Sequence, residues 1–131
     1  MKRPLFLLIS ALGSFVFGAL MFFGPAAAAR LLGIAPSVET LSVLRGMGGL
    51  IIGMGMINFL VRHSSDEHTL RMVFQTNILT NALGLMADFW GIWDGALKMS
   101  TMAPVEITHL FIGLGSLYYL LKTEIKNVVS H

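Results

Sequence analysis

The residues of this sequence best suited to chemistry are carboxylate, imidazole and amide side chains inside otherwise apolar segments. Two sets of positions recur at intervals of three or four residues. The first set is Asn77, Asn81, Gly84 and Asp88, and the second is Glu106, His109, Gly113 and Ser116. On an α-helix this spacing places the members of each set on one face. Such polar seams on apolar helices can bind a polar head group, hold a proton or pair with one another.

The seams predict one buried polar cluster near the outer end of the helices. Its members are Arg45, Asn81, Asp88, Glu106 and His109. Counted along ideal helices, Arg45, Asp88 and His109 lie at a similar level, ~6–8 Å below the outer membrane interface, with Glu106 just above them and Asn81 beneath. An isolated ion at the centre of a bilayer costs at least ~2.5–3.5 kcal/mol, which mutual pairing would offset.

Three interpretations of this cluster stay open. It can be an ion-paired knot that fixes the register of the helices. It can be a binding site for a lipid head group, a quinone or another small amphiphile, with Arg45 or His109 as the hydrogen-bonding partner. It can hold a proton or a metal ion, since Glu106 and His109 show the Glu-x-x-His spacing of di-iron bundles. Those bundles need two such pairs and further glutamates, so no metal centre is predicted within one chain.

Composition indicates what positions these residues. The chain has 131 residues, of which 55% are hydrophobic and only 12% charged, and its mean hydropathy is +0.76. A soluble protein of this size cannot bury so much apolar surface. We therefore predict an all-α integral membrane protein, a single domain over 1–131. It has four transmembrane helices at about 5–23, 41–61, 69–93 and 104–121, and a short interfacial helix after the first span. The alternative for the first span is a secretory signal peptide.

The local signals place the ends of these helices. Pro25 suits the first position of the interfacial helix and Gly33 its end, and Ser37 or Thr40 can cap the second span. Ser64 and Glu67 have the spacing of a capping box for the third span. The stretch 94–103 reads as a loop, and Pro104 is expected to open the fourth span.

The distribution of Lys and Arg predicts the orientation. One side of the membrane would hold Lys2, Arg3, Arg62, Arg71, Lys122 and Lys126, and the other Arg30, Arg45 and Lys98. The excess predicts a multi-pass protein of the inner (cytoplasmic) membrane with both termini in the cytoplasm.

Small residues predict the helix contacts, because helices in lipid associate by close packing. Ser10, Ser14 and Gly18 line one face of the first span. Gly46, Gly49 and Gly53 line one face of the second, and the last two form a GxxxG pair. These faces can pack within the chain or between copies of it.

The first half of the chain resembles small bacterial four-helix membrane proteins of the DoxX-like kind and related families of unknown function. The resemblance rests on 22–25 (Phe-Phe-Gly-Pro), 31–34 (Leu-Leu-Gly-Ile) and 44–46 (Leu-Arg-Gly) followed by Gly48 and Gly49. Some DoxX-like proteins are membrane partners of quinone-linked or redox complexes. The resemblance therefore favours a quinone-binding or accessory role, and it implies no catalytic residue.

The function expected from the sequence is non-enzymatic. The bundle would bind a lipid, a quinone or another amphiphile, or a partner membrane protein, through the outer-half polar pocket. The alternative is an oligomeric transporter or proton-conducting subunit, since four spans enclose little pathway alone. Cysteine is absent, which excludes disulfides and thiolate chemistry. The basic residues form no stripe with interleaved aromatics, so nucleic acid is not an expected partner.

Overall fold

A computed structural model describes the backbone of residues 1–129 and the side chains up to Thr123, and these residues form five α-helices without a strand. The helices are α1 (Arg3–Phe23), α2 (Pro25–Leu32), α3 (Val38–Val61), α4 (Glu67–Trp93) and α5 (Met99–Val129). The expected all-α class is confirmed. The side chain of Lys126, which entered the orientation count, lies outside the described residues.

The turns around α2 follow from its terminal residues. Pro25 occupies the start of α2, where its missing N–H costs no helical hydrogen bond. Gly33 ends the helix with φ of 73°, a left-handed conformation that glycine adopts without strain. The Ser37 hydroxyl then caps α3 by accepting a 3.2 Å hydrogen bond from the backbone N–H of Thr40. These three boundaries are as the sequence predicts.

Two other boundaries differ from the prediction. Asp66, rather than a Ser64–Glu67 capping box, caps α4, because its carboxylate accepts hydrogen bonds from the N–H groups of His68 and Thr69. Helix α5 begins at Met99, with Pro104 inside it. The earlier start is held by a tertiary contact: the Thr101 hydroxyl lies 2.9 Å from the carbonyl oxygen of Lys98 and 3.1 Å from that of Leu32 in α2.

The helices pack as two pairs whose ends are tied together. Helix α1 packs chiefly against α3, and α4 chiefly against α5. At one end, here called the basic end, Arg3 Nη2 donates a 2.7 Å hydrogen bond to the Ser64 carbonyl, and the Tyr119 hydroxyl donates to the Met1 carbonyl. At the opposite end, here called the α2 end, Thr101 contacts Leu32. Helices α1, α3, α4 and α5 therefore each run from one end of the bundle to the other.

On the α3 side, the α1–α3 contact depends on glycines other than those that the sequence indicates. A Cβ atom at Gly48 would lie 2.7 Å from the Gly18 carbonyl oxygen, and one at Gly55 would lie 2.9 Å from Ser14 Cβ. The predicted face of α1 makes this contact. The predicted face of α3 does not make this contact within the chain, because a Cβ at Gly46 or Gly53 would have nothing within 4 Å, and its packing between copies stays a prediction. Gly49, also on that face, is exposed and would meet only the ring of Phe22, at 3.8 Å. Small residues line more than one face of α3, so the sequence alone does not show which face packs on α1.

Several polar residues are buried and many large apolar residues are exposed, a distribution typical of a protein surrounded by lipid. Asn58, Asn77 and Ser116 are at most 2% exposed, whereas Val16, Leu50 and Trp93 are at least 73% exposed. Among the described helices, three are long and apolar enough to cross a membrane: Arg3–Phe23, Val38–Val61 and Met99–Thr123. Helix α4 has the length but does not meet the same criterion, because its polar seam lowers its hydropathy.

Candidate functional site

The polar seams of α4 and α5 face each other, and His109 lies at their centre. Its Nδ1 lies 2.8 Å from Oδ1 of Asn81, and its Nε2 lies 3.6 Å from Oδ2 of Asp88. Gly84 makes room for the ring, since a Cβ atom there would come within 2.6 Å of His109 Cε1. Gly113 faces Asn81 in the same way, with 3.5 Å between its built Cβ and Asn81 Cβ. The two small residues therefore set the separation of the seams.

The hydrogen bonds fix which ring nitrogen of His109 carries a proton. Asn81 Nδ2 donates a 2.7 Å hydrogen bond to the carbonyl oxygen of Asn77, which can only accept. Asn81 Oδ1 is therefore the acceptor that faces His109, and His109 Nδ1 is the donor. In the neutral imidazole, Nε2 is then an acceptor that faces the Asp88 carboxylate, a second acceptor. This contact is favourable only when a proton is added to one of the two groups.

Glu106 adds a second pair of acceptors. The residue is 7% exposed, and both of its carboxylate oxygens are buried without a hydrogen-bond donor in the described part of the chain. The Asp88 carboxyl lies near enough to interact with it electrostatically, and two acceptors at close range do not stabilise each other. A buried acceptor without a donor is costly, more so when it is charged. Asp88, Glu106 and His109 Nε2 thus form a site, here called the acidic site, that is rich in acceptors and receives no donor from the side chains that the structure describes.

Arg45 is not part of this site. Its side chain is exposed on α3, and none of the described acidic side chains forms a salt bridge with it. The reason is the pairing of the helices, since α3 packs along α1 and meets α4 mainly through Asn58 and Asn77. The structure therefore brings together Asn81, Asp88, Glu106 and His109 and leaves Arg45 outside.

No group of three or more His, Cys, Asp or Glu side chains among the described residues could hold a metal ion.

The seam continues toward the basic end through a pair of amides. Asn77 Nδ2 donates a 2.9 Å hydrogen bond to Asn58 Oδ1, and the reverse bond measures 3.4 Å. Both residues are buried. A single asparagine in an apolar helix predicts a hydrogen bond to another helix. Its partner cannot be predicted from the sequence, because the register of α3 against α4 depends on tertiary packing. Gln75, the other isolated polar residue of this half, is exposed.

Beside the acidic site, α4 carries a shallow apolar groove that sequence reasoning missed. It is lined by Leu85, Met86, Phe89, Trp90 and Trp93. Leu85 stands three positions before Asp88, so the groove begins on the helix face next to the carboxylate. The signal in the sequence was the recurrence of large apolar residues at intervals of three and four up to the end of α4. A polar site and an apolar groove thus lie side by side, which suits a ligand with a polar head and an apolar tail.

No protein-family model matches the chain, and comparisons with characterised proteins and with solved structures gave no match.

Proposed function

We propose that the chain crosses the membrane four times, with α4 as one of the crossings. The ties between the helix ends support this. The start of α1 lies beside Tyr119, near the end of the apolar part of α5 (Met99–Thr123), so these two segments share one end of the bundle. A chain that begins and ends on the same side of a membrane crosses it an even number of times. Helices α1, α3 and α5 have the apolar character of spans, so α4 supplies the fourth crossing. Its 27 residues reach ~40 Å.

The orientation that we propose puts the basic end in the cytoplasm of a bacterial cell, with the protein in the inner membrane. Lys2 and Arg3 lie at this end, and Arg3 bonds to Ser64 in the turn that follows Arg62. This concentration of positive charge favours the cytoplasmic side. Helix α2 would then lie at the outer interface. We also propose membership of the DoxX-like group, which rests on the sequence motifs around Gly24, Gly33 and Gly48.

The function that the site supports best is binding of an amphiphile, without catalysis, at the acidic site. The observation that carries this proposal is the buried Glu106 carboxylate, which has no hydrogen-bond donor among the described residues and interacts with a second carboxyl, that of Asp88. Such a site favours a head group that donates hydrogen bonds or carries positive charge. A protonated amine, a lipid ammonium group or a quinol hydroxyl meets this requirement. A quinone carbonyl and a phosphate do not, because each adds another acceptor. The groove beside Asp88 would take the apolar tail.

The experiment uses the two tryptophans of the chain, Trp90 and Trp93, which lie at the same end of α4 as the acidic site. A spin-labelled dodecylammonium, added to protein in phosphatidylcholine nanodiscs, should quench their fluorescence in a saturable way. Glu106→Gln should weaken this binding by tenfold or more, since a hydrogen bond to a charged group contributes ~1.5–3 kcal/mol. The control is Glu39→Gln, an exposed glutamate near the α2 end, which should bind as the wild type does. Equal binding by wild type and Glu106→Gln, or equal quenching by a spin-labelled dodecyl phosphate, would contradict the proposal.

A proton-conducting role is the second candidate, favoured by the contacts that link Glu106, Asp88 and His109. Beyond His109 the seam consists of amides, with Asn81 bonded to Asn77 and Asn77 to Asn58. Amides do not titrate, so a proton path through the basic half would need groups from an oligomer. Proton flux into liposomes that contain the protein, abolished by His109→Gln, would favour this candidate over amphiphile binding.

A further inference from the structure

Arg45 is an exposed cation in a segment that is otherwise apolar. It lies on α3 beside the exposed residues Gly46 and Gly49, away from the face that packs on α1. None of the described acidic side chains pairs with it. A guanidinium keeps its charge under all ordinary conditions and has five donors to satisfy. In a membrane span, such a group is costly unless it is paired, and the described part of this chain offers it no anionic side chain.

The acidic site lies at the same depth and has unpaired hydrogen-bond acceptors where Arg45 has unpaired donors. Arg45 stands seven residues after the start of α3, and Glu106 stands seven residues after the start of α5. Both helices begin at the α2 end, so each residue lies ~10 Å along its helix from that end. Asp88 stands five residues before the end of α4, ~8 Å from the same end. The unpaired donors and the unpaired acceptors therefore lie at one level on different faces of the chain.

We infer that two copies of this chain associate in the membrane, with Arg45 of one copy entering the acidic site of the other. The fork of a guanidinium matches a carboxylate and supplies the donors that Glu106 and Asp88 lack. The glycine-lined face of α3 lets the second copy approach closely at Arg45. Charge complementarity at a shared depth thus identifies a second copy as the partner. The inference rests on the proposed function, because it assumes that the acidic site takes a donor-bearing group.

Pairing of Arg45 with the acidic site of a second copy would differ from simple ligand binding in one measurable effect. Arg45 of the second copy and the head group of an amphiphile would compete for the same carboxylates. Loss of Arg45 should therefore weaken self-association and strengthen ligand binding at the same time. Without this contact between copies, an exposed residue outside the site would affect neither.

The experiment measures self-association of the full chain in phosphatidylcholine vesicles. The chain has no native cysteine, so copies labelled at Ser65→Cys can report association by energy transfer. Arg45→Gln should raise the dissociation constant at least tenfold and should raise the affinity for dodecylammonium. Arg30→Gln, an exposed arginine on α2, is the matched control and should change neither quantity. The helical circular dichroism of each variant verifies its folding, and Arg45 is exposed, so its loss disturbs no core contact.

Cross-linking gives an independent measurement. Copies with Ser42→Cys, next to Arg45 on α3, are mixed with copies with Ala87→Cys, next to Asp88 on α4. A link between the two kinds of copy supports the inference, and its persistence in Arg45→Gln would overturn it. Unchanged association and unchanged probe affinity in Arg45→Gln, as expected if Arg45 holds a lipid phosphate, would also overturn it. In that case, weaker binding of dodecylammonium to Glu106→Gln would leave the proposed function standing. Equal binding to wild type and Glu106→Gln would refute the proposed function itself.

Discussion

The imidazole ring of His109 lies directly against Gly84, so that a Cβ atom at position 84 would come within 2.6 Å of Cε1 and 2.8 Å of Nε2. We predict that Gly84→Ala displaces the ring and breaks its hydrogen bond to Asn81. The free energy of unfolding should fall by ~1–3 kcal/mol, as for other overpacked positions, and dodecylammonium should bind more weakly. Gly13→Ala is the control, because nothing lies within 4 Å of a Cβ at that position. A Gly84→Ala variant as stable as Gly13→Ala would show that the His109 ring moves aside without lowering the free energy of unfolding.

The glycines of α3 should differ sharply in their tolerance of a side chain. Gly48→Ala places a methyl group 2.7 Å from the backbone of Gly18 and of Phe22, and neither backbone can yield without moving α1. We expect a loss of ~1–3 kcal/mol in the free energy of unfolding in dilute detergent. Gly53→Ala on the same helix meets open space and should have no such effect. If Gly53→Ala were instead the less stable variant, the face of Gly46, Gly49 and Gly53 would be the one that packs on α1.

The buried amides of Asn58 and Asn77 should be energetically coupled. Asn77→Leu alone leaves the Asn58 amide buried without its partner, whereas the double replacement removes both polar groups. We expect the double variant to be less destabilised than the sum of the single variants, with a coupling of ~0.6–1.7 kcal/mol, as is usual for polar contacts between membrane helices. Gln75→Leu, an exposed position on α4, serves as the control. Strict additivity in this cycle would mean that the amides do not interact.

The four crossings can be tested by labelling from each side. Ser65 follows α3 and Ala96 follows α4, and both residues are exposed. In sealed vesicles, an impermeant thiol reagent should label Ser65→Cys and Ala96→Cys from opposite sides. Labelling of both from the same side would show that α4 does not cross the membrane and would overturn the proposed four crossings.

The stability of the start of α4 should depend on pH through Asp66. Hydrogen bonds from the Thr69 hydroxyl and then the Thr69 N–H hold the pKa of this carboxyl below its usual range. A lowered pKa in the folded state means that the cap stabilises the protein above the unfolded value of ~3.9, and that this contribution is lost as the pH falls through the folded pKa. Asp66→Ala should therefore be less stable than wild type at neutral pH, with a difference that shrinks on acidification. Thermal unfolding followed by circular dichroism measures this, with Ser65→Ala as the control.

The sequence predicts the helices well because their signals are local. Runs of apolar residues, Pro25, Gly33 and Ser37 act within a few positions of themselves, and these boundaries are confirmed. The start of α5 differs because Thr101 is held by Leu32, a residue 69 positions away. The facing seams of α4 and α5 follow from helical spacing, since a row of polar groups on an apolar helix is more stable against protein than against lipid. The exclusion of Arg45 could not be predicted, because residues at one depth can lie on different faces of a bundle.

The pairing of α1 with α3 and of α4 with α5 has a consequence for the biosynthesis of the chain. Each pair is formed by neighbours in the sequence, with only α2 or a short turn between its members. Most contacts of α1 and α3 are with each other, so the first hairpin can close while α4 and α5 are still being synthesised. In late steps of assembly, the finished first hairpin would then dock onto the second. Asn58 of the first hairpin would bond to Asn77 of the second, and the Leu32 carbonyl of α2 would accept from Thr101 of α5.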